Sequence, residues 1–412
     1  MRNDSILSVE EITMKLIYRD SYLEQLKAVM NVPDIKVITG IRRSGKSKLM
    51  DAFSDYLFSQ NNANVIRIRL NIREFSALTD PDTLYDYVTS QYQQDKTNYL
   101  LIDEVQMCSG FEKVIESLHE EEKYDIYITG SNAFLLSSDL ATLFGGRVYE
   151  VKVYPFSFAE YLKYYPSDDL DKSFDDYVID GGMSGSYLYP KQEDARKYVK
   201  SLARTTIIKD VVTKYKLENE VLLNMIVDFL ADTIGNKTSI RNIANCLTSN
   251  SYKTNDKTCG LYVNLLCNSF LFYPFTRYDI KGKKYLESDK KYYLADLSFR
   301  YALLGTKNTD YGFLYENLIA IELLRRNYEV YVGCLYQKEI DFVAIKDGQK
   351  IYIQVSDDIS RKETLDRELS PLFSIKDAYP KVLLARTKHP DSQVEGVKII
   401  DIARWLSNVS QF

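Results

Sequence analysis

Five short runs of apolar residues occur in the first 155 positions, and most are separated by stretches whose apolar positions recur every three or four residues. Uninterrupted short runs are typical of strands buried on both faces of a parallel sheet, and the longer period is typical of amphipathic helices. This alternation predicts an α/β domain in which helices cover a parallel sheet. The predicted strands lie near residues 35–39, 64–70, 98–102, 125–129 and 148–153.

The pattern changes twice further along the chain. Residues 156–217 keep the helical period with one glycine-rich interruption, and from about residue 218 three helical patterns precede two strand-like runs around a charged turn. Three helices followed by a hairpin are typical of a winged helix. The predicted organisation is an α/β domain (1–155), a helical lid (156–217), a winged helix (218–306) and an αβββαβ domain (307–412).

Composition narrows the classes of function. A net charge of −5 gives no overall attraction to nucleic acid, so any DNA contact requires a local basic patch. Five scattered cysteines without a CxxC pair, and only two histidines, argue against a zinc site. No apolar run approaches the roughly 18 residues that cross a bilayer, and the N-terminus lacks the layout of a signal peptide. The expected location is the cytoplasm, without membrane contact.

A phosphate-binding loop is the strongest local motif. Gly40 to Ser47 fit G-x-x-x-x-G-K-[ST] without a mismatch, directly after the strand at 35–39 and before a helical pattern. Such a loop turns backbone N–H groups toward phosphates, Lys46 is expected to reach the β and γ phosphates, and Ser47 to hold Mg²⁺. The alternative is a chance glycine turn. The predicted ATP contacts are Gly40, Arg43, Ser44, Gly45, Lys46, Ser47 and Lys48.

Acidic and polar residues follow two later strands. The apolar run at 99–102 ends in Asp103 and Glu104, which predicts a buried strand that delivers two carboxylates to its tip. Asp103 is expected to bind Mg²⁺, and Glu104 to orient and deprotonate the attacking water. Ser131 and Asn132 follow the strand at 125–129, where a polar side chain can contact the γ-phosphate and water. For Asp103 and Glu104, the alternative is a strand that simply exits into solvent. For Ser131 and Asn132, it is a simple helix N-cap.

In order along the chain, these motifs resemble a known ATPase family. The segments concerned are 38–47, 101–106, 128–131, 146–147, 154–158 and 181–183. They resemble bacterial and archaeal ATPases that join an AAA domain to a C-terminal domain of unknown function, with a winged helix between. The resemblance implies ATP and Mg²⁺ as cofactors. It also places Arg147 where AAA+ proteins carry an arginine that reaches a neighbouring subunit, which implies a homo-oligomer or a protein partner; a simple salt bridge is the alternative for Arg147.

The predicted winged helix carries a local excess of basic residues. Between positions 277 and 291 there are six basic and three acidic residues, and two more lysines lie at the start of the third helix. Such a patch is able to contact DNA phosphates, while a winged helix that contacts protein is the alternative. The basic residues are Arg277, Lys281, Lys283, Lys284, Lys290, Lys291, Lys253 and Lys257.

The C-terminal pattern resembles the PD-(D/E)XK nuclease fold. In that fold a helix Glu, a strand Asp and an E-x-K on the next strand hold metal and position water. Here Glu316 and Asp341 match, Gln354 replaces the second acid, and Ser356 occupies the lysine position. Without the lysine cation, we expect a non-catalytic remnant used for binding or assembly, with an active nuclease as the alternative.

Three functions are therefore compatible with the sequence. The favoured one is Mg²⁺-dependent ATP hydrolysis by an AAA-type switch or motor whose C-terminal domains contact DNA or protein. The first alternative is an ATP-gated, metal-dependent DNA nuclease, which Ser356 argues against. The second is a scaffold that binds nucleotide with little turnover, which the intact Lys46, Ser47, Asp103 and Glu104 argue against.

Overall fold

The computed structural model describes residues 16–130, 144–206, 211–212, 215–217, 219–249, 252–306 and 310–408. Its helices are α1 (Asp20–Ala28), α2 (Lys46–Phe58), α3 (Pro81–Ser90), α4 (Phe111–Glu120), α5 (Phe158–Tyr164), α6 (Leu170–Asp180), α7 (Gln192–Thr206), α8 (Glu220–Asp232), α9 (Ile240–Ser249), α10 (Asp256–Asn268), α11 (Leu297–Leu304), α12 (Tyr311–Arg325), α13 (Lys362–Phe373) and α14 (Ile402–Ser407). Its strands are β1 (Ile35–Thr39), β2 (Ala63–Arg69), β3 (Thr97–Asp103), β4 (Tyr124–Thr129), β5 (Val148–Lys152), β6 (Phe272–Asp279), β7 (Lys284–Leu294), β8 (Glu329–Leu335), β9 (Lys338–Lys346), β10 (Gln349–Ser356), β11 (Lys381–Ala385), β12 (Ser392–Val394) and β13 (Val397–Asp401).

The first five strands form one parallel sheet in the order β2-β3-β4-β1-β5. Each strand ends within one residue of its predicted bounds, so the predicted α/β domain is confirmed. Apolar side chains on both faces of β1, β3 and β4 are buried under helices, as the uninterrupted runs indicated. Because all strands run in one direction, Thr39, Asp103 and Thr129 lie at the same edge of the sheet.

Helices α5, α6 and α7 form a layer beside this sheet. Helix α11 packs against α6 and α7 although the chain passes through the hairpin β6–β7 before reaching it. One hydrophobic core extends from α1 and α2 through these helices to α12 and α14. The predicted lid segment therefore shares its core with the C-terminal half of the molecule.

The Gly181–Gly182 pair permits a close backbone approach at the start of this layer. The backbone N–H of Phe156 donates to the carbonyl of Gly182 at 2.8 Å, and a Cβ on Gly182 would lie 2.1 Å from the carbonyl oxygen of Phe156. The Gly182 N–H in turn donates to the buried carboxylate of Asp296, which caps α11 through the N–H of Ser298. Burial raises the pKa of Asp296 to about 6.

The hairpin β6–β7 belongs to the C-terminal sheet. An eight-stranded sheet has the order β12-β13-β11-β10-β9-β8-β6-β7, and β6 pairs with β8 in parallel, with Arg277 opposite Val332. The sheet is thus continuous across residue 306, where sequence patterns predicted a domain boundary. Periodicity identifies a strand but not the partner of its free edge, so this junction had no sequence signal.

The remaining elements follow the predicted order. Helices α8, α9 and α10 precede the hairpin, and α12, β8, β9, β10, α13 and β11 give the αβββαβ sequence of elements. Strands β12 and β13 and helix α14 extend it. Assignment of these two regions to the winged-helix and nuclease-like classes stays a prediction.

Candidate functional site

The phosphate loop connects β1 to α2 at the carboxyl edge of the parallel sheet. A Cβ on Gly40, whose φ is 136°, would lie 2.1 Å from the carbonyl oxygen of Val153, so this position accepts only glycine. Gly45 adopts φ 99° at the N-cap of α2. These two glycines let the loop turn sharply at the positive end of the helix dipole, which suits an anionic ligand.

Lys46 lies inside this loop. Its side chain is buried, and its ammonium donates to the carbonyls of Gly40 at 2.7 Å and Ile41 at 3.2 Å. Both acceptors are neutral, so the positive charge of Lys46 is solvated by the loop and not neutralised by these carbonyls. This placement agrees with a phosphate-binding role.

Ser47 and Asp103 meet at the same edge. The Ser47 hydroxyl donates to Asp103 Oδ1 at 3.1 Å, and Asp103 is 2% exposed at the end of β3. A hydroxyl and a carboxylate oxygen are ligands that Mg²⁺ prefers. The structure thus brings together the two residues that the sequence assigned to the metal.

Thr129 is a site residue that sequence patterns did not single out. Its hydroxyl donates to Asp103 Oδ1 and accepts a hydrogen bond from the backbone N–H of Glu104 at 3.1 Å. Glu104 has a left-handed φ of 58°, and its carboxylate accepts from the side-chain amide of Gln106. Thr129 therefore positions both acids. The available signal was a polar residue at the end of β4.

The other predicted nucleotide contacts have different surroundings. Ser44 Oγ is buried without a hydrogen-bond partner among the described residues, close to Gly40. Arg43 leaves the loop and donates to the hydroxyl of Tyr198 on α7 at 3.1 Å. Lys48 is largely exposed and pairs with Asp51 at 3.6 Å. Ser131 and Asn132 lie outside the described residues.

Arg147 lies at the opposite edge of the sheet. Its carbonyl accepts from the N–H of Ile35, the first residue of β1, about 13 Å along the strand from Thr39. Its exposed guanidinium pairs with Glu120. Any contact of Arg147 with a nucleotide therefore requires a second subunit, and its catalytic role stays a prediction.

Arg19 is a second residue that the motifs did not reveal. It is 5% exposed and donates to the carbonyl of Ser44 in the phosphate loop at 2.8 Å, to the carbonyl of Tyr154 at 2.9 Å, and to the Glu160 carboxylate at 2.7 Å. Burial alone would raise the pKa of Glu160, but the Arg19 guanidinium outweighs it and holds that pKa below its usual value. Arg325 on α12 donates to the carbonyl of Pro155 at 2.9 Å. A chain of buried polar contacts thus extends from the phosphate loop through Arg19 to Arg325 on α12.

The predicted nuclease-like residues also converge, around a lysine from the hairpin. The ammonium of Lys291 lies 2.7 Å from Glu316 Oε1 and 3.9 Å from Asp341 Oδ1. The amide oxygen of Gln354 accepts from the Asp341 N–H at 3.4 Å, and the Ser356 hydroxyl donates to the carbonyl of Asp358. Glu316 and Asp341 are thus joined through Lys291.

The interpretation of Lys291 as a phosphate contact is wrong, whereas that of Arg277 stays a prediction. Lys291 is 3% exposed, and Arg277 is half-buried and donates to the sulfur of Cys334 at 3.1 Å. Both project from strands whose sequence gave no sign of a covering helix or neighbouring strand. The basic patch that remains at the hairpin tip consists of Lys281, Lys283 and Lys284, which are exposed.

Burial shifts the pKa of Asp341 and Glu316, the two carboxyls of this cluster that match the nuclease-like pattern. It raises the pKa of Asp341 well above the usual value, with a further contribution from Glu316. Burial also raises the pKa of Glu316, although the Lys291 ammonium offsets part of this effect. In the part of the chain that the structure describes, no three acidic, histidine or cysteine side chains are arranged to hold a metal ion.

Comparison with known families identifies the phosphate-loop region. A family model described as an AAA domain matches residues 32–162, and one described as a domain of unknown function (DUF8612) matches residues 171–310. An uncharacterized protein of Haemophilus influenzae is 35% identical over 398 residues, which cover 95% of this chain and 98% of that protein. The chain belongs to the same family as this protein. Uncharacterized protein MJ1544 of Methanocaldococcus jannaschii is 25% identical over 357 residues, covering 83% of this chain and 77% of that protein.

Solved structures with some similarity include the Aeropyrum pernix ORC1 protein in complex with DNA and AMPPCP-bound DnaA from Aquifex aeolicus. The first is 14% identical with a TM-score of 0.29, covering 71% of this chain and 93% of that one. The second is 16% identical with a TM-score of 0.30, covering 59% of this chain and 84% of that one. Among the described residues, no helix has the length and apolar character needed to cross a membrane.

Proposed function

We propose that the chain is an Mg²⁺-dependent ATPase whose nucleotide state acts as a conformational switch. The observation that carries this proposal is the 3.1 Å contact between Ser47 Oγ and Asp103 Oδ1, beside the buried ammonium of Lys46 and directly before Glu104. These four side chains supply, at one sheet edge, the groups needed to bind triphosphate, hold its metal and activate water.

The loop fits the phosphates of ATP. The buried Ser44 hydroxyl has no hydrogen-bond partner among the described residues, so it is available to a ligand. Lys46 would exchange its neutral carbonyl acceptors for phosphate oxygens, which form stronger, charge-assisted hydrogen bonds. Ser47 and Asp103 would hold Mg²⁺, which neutralises charge on the phosphates.

Glu104 is the proposed general base. Its carboxylate follows the metal-binding Asp103 directly, and Gln106 and Thr129 fix its side chain and its backbone. A carboxylate held in this way orients a water molecule and accepts its proton as the water attacks. We assign the phosphate-loop residues Gly40 to Ser47 to nucleotide binding, and Glu104 to the chemical step.

The buried polar chain through Arg19 is the proposed route from nucleotide to the C-terminal half. Arg19 holds the backbone of the phosphate loop, the exit of β5 and the first residues of α5 together. Arg43 adds a direct contact between the loop and Tyr198 on α7. A change in loop conformation on binding or hydrolysis would therefore alter the packing of these helices.

The test is a nucleotide-trapping experiment on the Glu104→Gln variant of the full chain. Turnover is expected to fall by about 100-fold or more, because the base is lost, while bound ATP is retained. Glu116→Gln is the matched control, since Glu116 is exposed on α4 away from the site. Unchanged turnover in Glu104→Gln would contradict the assignment of the base, and undetectable turnover in the wild type would favour a nucleotide-binding scaffold.

The same assay examines the partner. A rate per subunit that rises with protein concentration supports a role of Arg147 across subunits, and a constant rate contradicts it. Stimulation by DNA that is lost when Lys281, Lys283 and Lys284 are changed to Ala supports DNA contact at the hairpin tip. Stimulation that survives these changes, or no response to DNA, favours a protein partner.

A further inference from the structure

Lys291 on β7 is buried among carboxylates from the neighbouring elements. Its side chain is 3% exposed. Its ammonium lies 2.7 Å from Glu316 Oε1 on α12, and on β9 it lies 2.8 Å from Glu339 Oε1 and 3.9 Å from Asp341 Oδ1. Helix α12 packs against both β7 and β9. One cation therefore sits where three acidic side chains converge.

Convergent carboxylate oxygens are the usual environment of a divalent metal. Here each of the three carboxylates also has a second partner in the chain. The hydroxyl of Tyr293 donates to Glu316, the N–H of Val355 donates to Asp341 Oδ2 at 2.8 Å, and Lys237 pairs with Glu339 at 3.0 Å. Each of the three carboxylates thus has two partners from within the chain, one of them Lys291.

We propose that the ammonium of Lys291 is the resident cation of this cluster and takes the place of a divalent metal. The lysine thereby fills the metal position of the nuclease-like site. It also connects the hairpin β6–β7 to α12 and β9. This inference is independent of the proposed ATPase function, because it concerns a different site and different residues.

The position of other lysines supports this assignment. Lys350, on β10, donates to the hydroxyl of Tyr278 at 3.0 Å and lies over the rings of Tyr278 and Tyr379. It therefore does not replace the lysine that is missing at Ser356. Lys291 lies on a strand of the hairpin and pairs with the carboxylates directly instead of leaving them to a metal and water.

The first test balances the charges of the cluster. Lys291→Met in the full chain is expected to lower the thermal midpoint by about 10 °C, because buried carboxylates lose their cation. Adding Glu316→Gln, Glu339→Gln and Asp341→Asn should restore most of this loss, since amide oxygens still accept from Tyr293 and Val355. Lys290→Met is the matched control, because the adjacent lysine has no ion pair in the described part of the chain.

The outcomes are decisive in either direction. A midpoint that is unchanged in Lys291→Met, or that the amide substitutions fail to restore, overturns the proposal. If Lys291→Met does not fold, folding of the variant that also carries the three amides supports the proposal, and failure of that variant to fold contradicts it.

The second test asks whether a metal is able to replace the ammonium. Millimolar Mn²⁺ is expected to raise the midpoint of Lys291→Ala by several degrees, but not that of the wild type or of Lys291→Ala with Asp341→Asn. A Mn²⁺-dependent rise in the wild type that Asp341→Asn abolishes would show that the site already admits metal, and would overturn the proposal.

Discussion

The phosphate-loop site and the C-terminal carboxylate cluster contain the same kinds of side chain in opposite electrostatic arrangements. Lys46 donates to neutral carbonyls, and Asp103 accepts from the hydroxyls of Ser47 and Thr129. Lys291, in contrast, pairs directly with Glu316 and two other acids. In the first arrangement these contacts of the lysine and the carboxylate are with neutral groups, whereas in the second a lysine and carboxylates pair with each other.

The two arrangements differ in the cost of admitting a ligand. Exchanging a neutral hydrogen bond for a phosphate contact loses little, because a net hydrogen bond contributes about 1 kcal/mol. Separating a buried, hydrogen-bonded ion pair costs about 3–5 kcal/mol. The comparison therefore predicts that the phosphate-loop site admits a charged ligand more readily than the C-terminal cluster does.

The largest expected effect is the difference between a single substitution in the phosphate-loop site and a single substitution in the C-terminal cluster. Lys46→Ala should weaken ATP binding by about 100-fold and remove measurable turnover, because charged hydrogen bonds to phosphate are lost. Asp341→Asn should leave both within about twofold, since the C-terminal cluster has no part in hydrolysis. Binding of a fluorescent ATP analogue and phosphate release measure the two quantities.

Lys113→Ala, an exposed position on α4, is the control for Lys46→Ala. Equal losses of turnover in Lys46→Ala and Asp341→Asn would break the comparison, because they would show that hydrolysis depends on both sites. Retained ATP binding in Lys46→Ala would contradict the role of the loop.

A smaller effect is expected at Asp296, a buried carboxylate with no ion pair among the described residues. Its pKa is raised to about 6 in the folded chain from 3.8, so the folded state binds the proton more tightly. Stability from this group is complete below pH 3.8 and is lost as the pH rises through 6. Relative to Asp296→Asn, the free energy of unfolding should fall by about 3 kcal/mol between pH 4 and 7.

Urea unfolding of both proteins at several pH values measures this difference. Parallel profiles for the wild type and Asp296→Asn would show that folding does not shift the pKa of Asp296. That result would mean that N–H donors such as Gly182 and Ser298 stabilise a buried charge as well as Lys291 does, and it would weaken the contrast between the sites.

The sequence predicted the phosphate-loop site because its parts follow the strands that position them. Gly40 to Ser47 and Asp103 each come directly after a buried apolar run, and parallel strands bring their carboxyl ends to one edge. The position of these residues directly after the strands therefore determines most of the geometry of the phosphate-loop site. Thr129 and Arg19 were not assigned a role because each acts through a partner far away in the chain, Asp103 and Glu160 respectively.

The C-terminal cluster was predicted only in part for the same reason. Glu316 and Asp341 were recognised from the order of elements, but Lys291 precedes Glu316 by 25 residues and lies in a strand that resembled a charged surface hairpin. Only the joining of the hairpin to the C-terminal sheet turns this lysine inward. Pairing between strands separated by a helix leaves no periodic trace in either strand.

Counting bound Mn²⁺ by electron paramagnetic resonance tests the central claim most directly. With a non-hydrolysable ATP analogue, the full wild-type chain should bind one Mn²⁺ ion per nucleotide site, Asp103→Asn should lose it, and Asp341→Asn should keep it. Without nucleotide, none should bind at the C-terminal cluster. An ion that binds without nucleotide and disappears in Asp341→Asn, or one that survives in Asp103→Asn, would contradict the account.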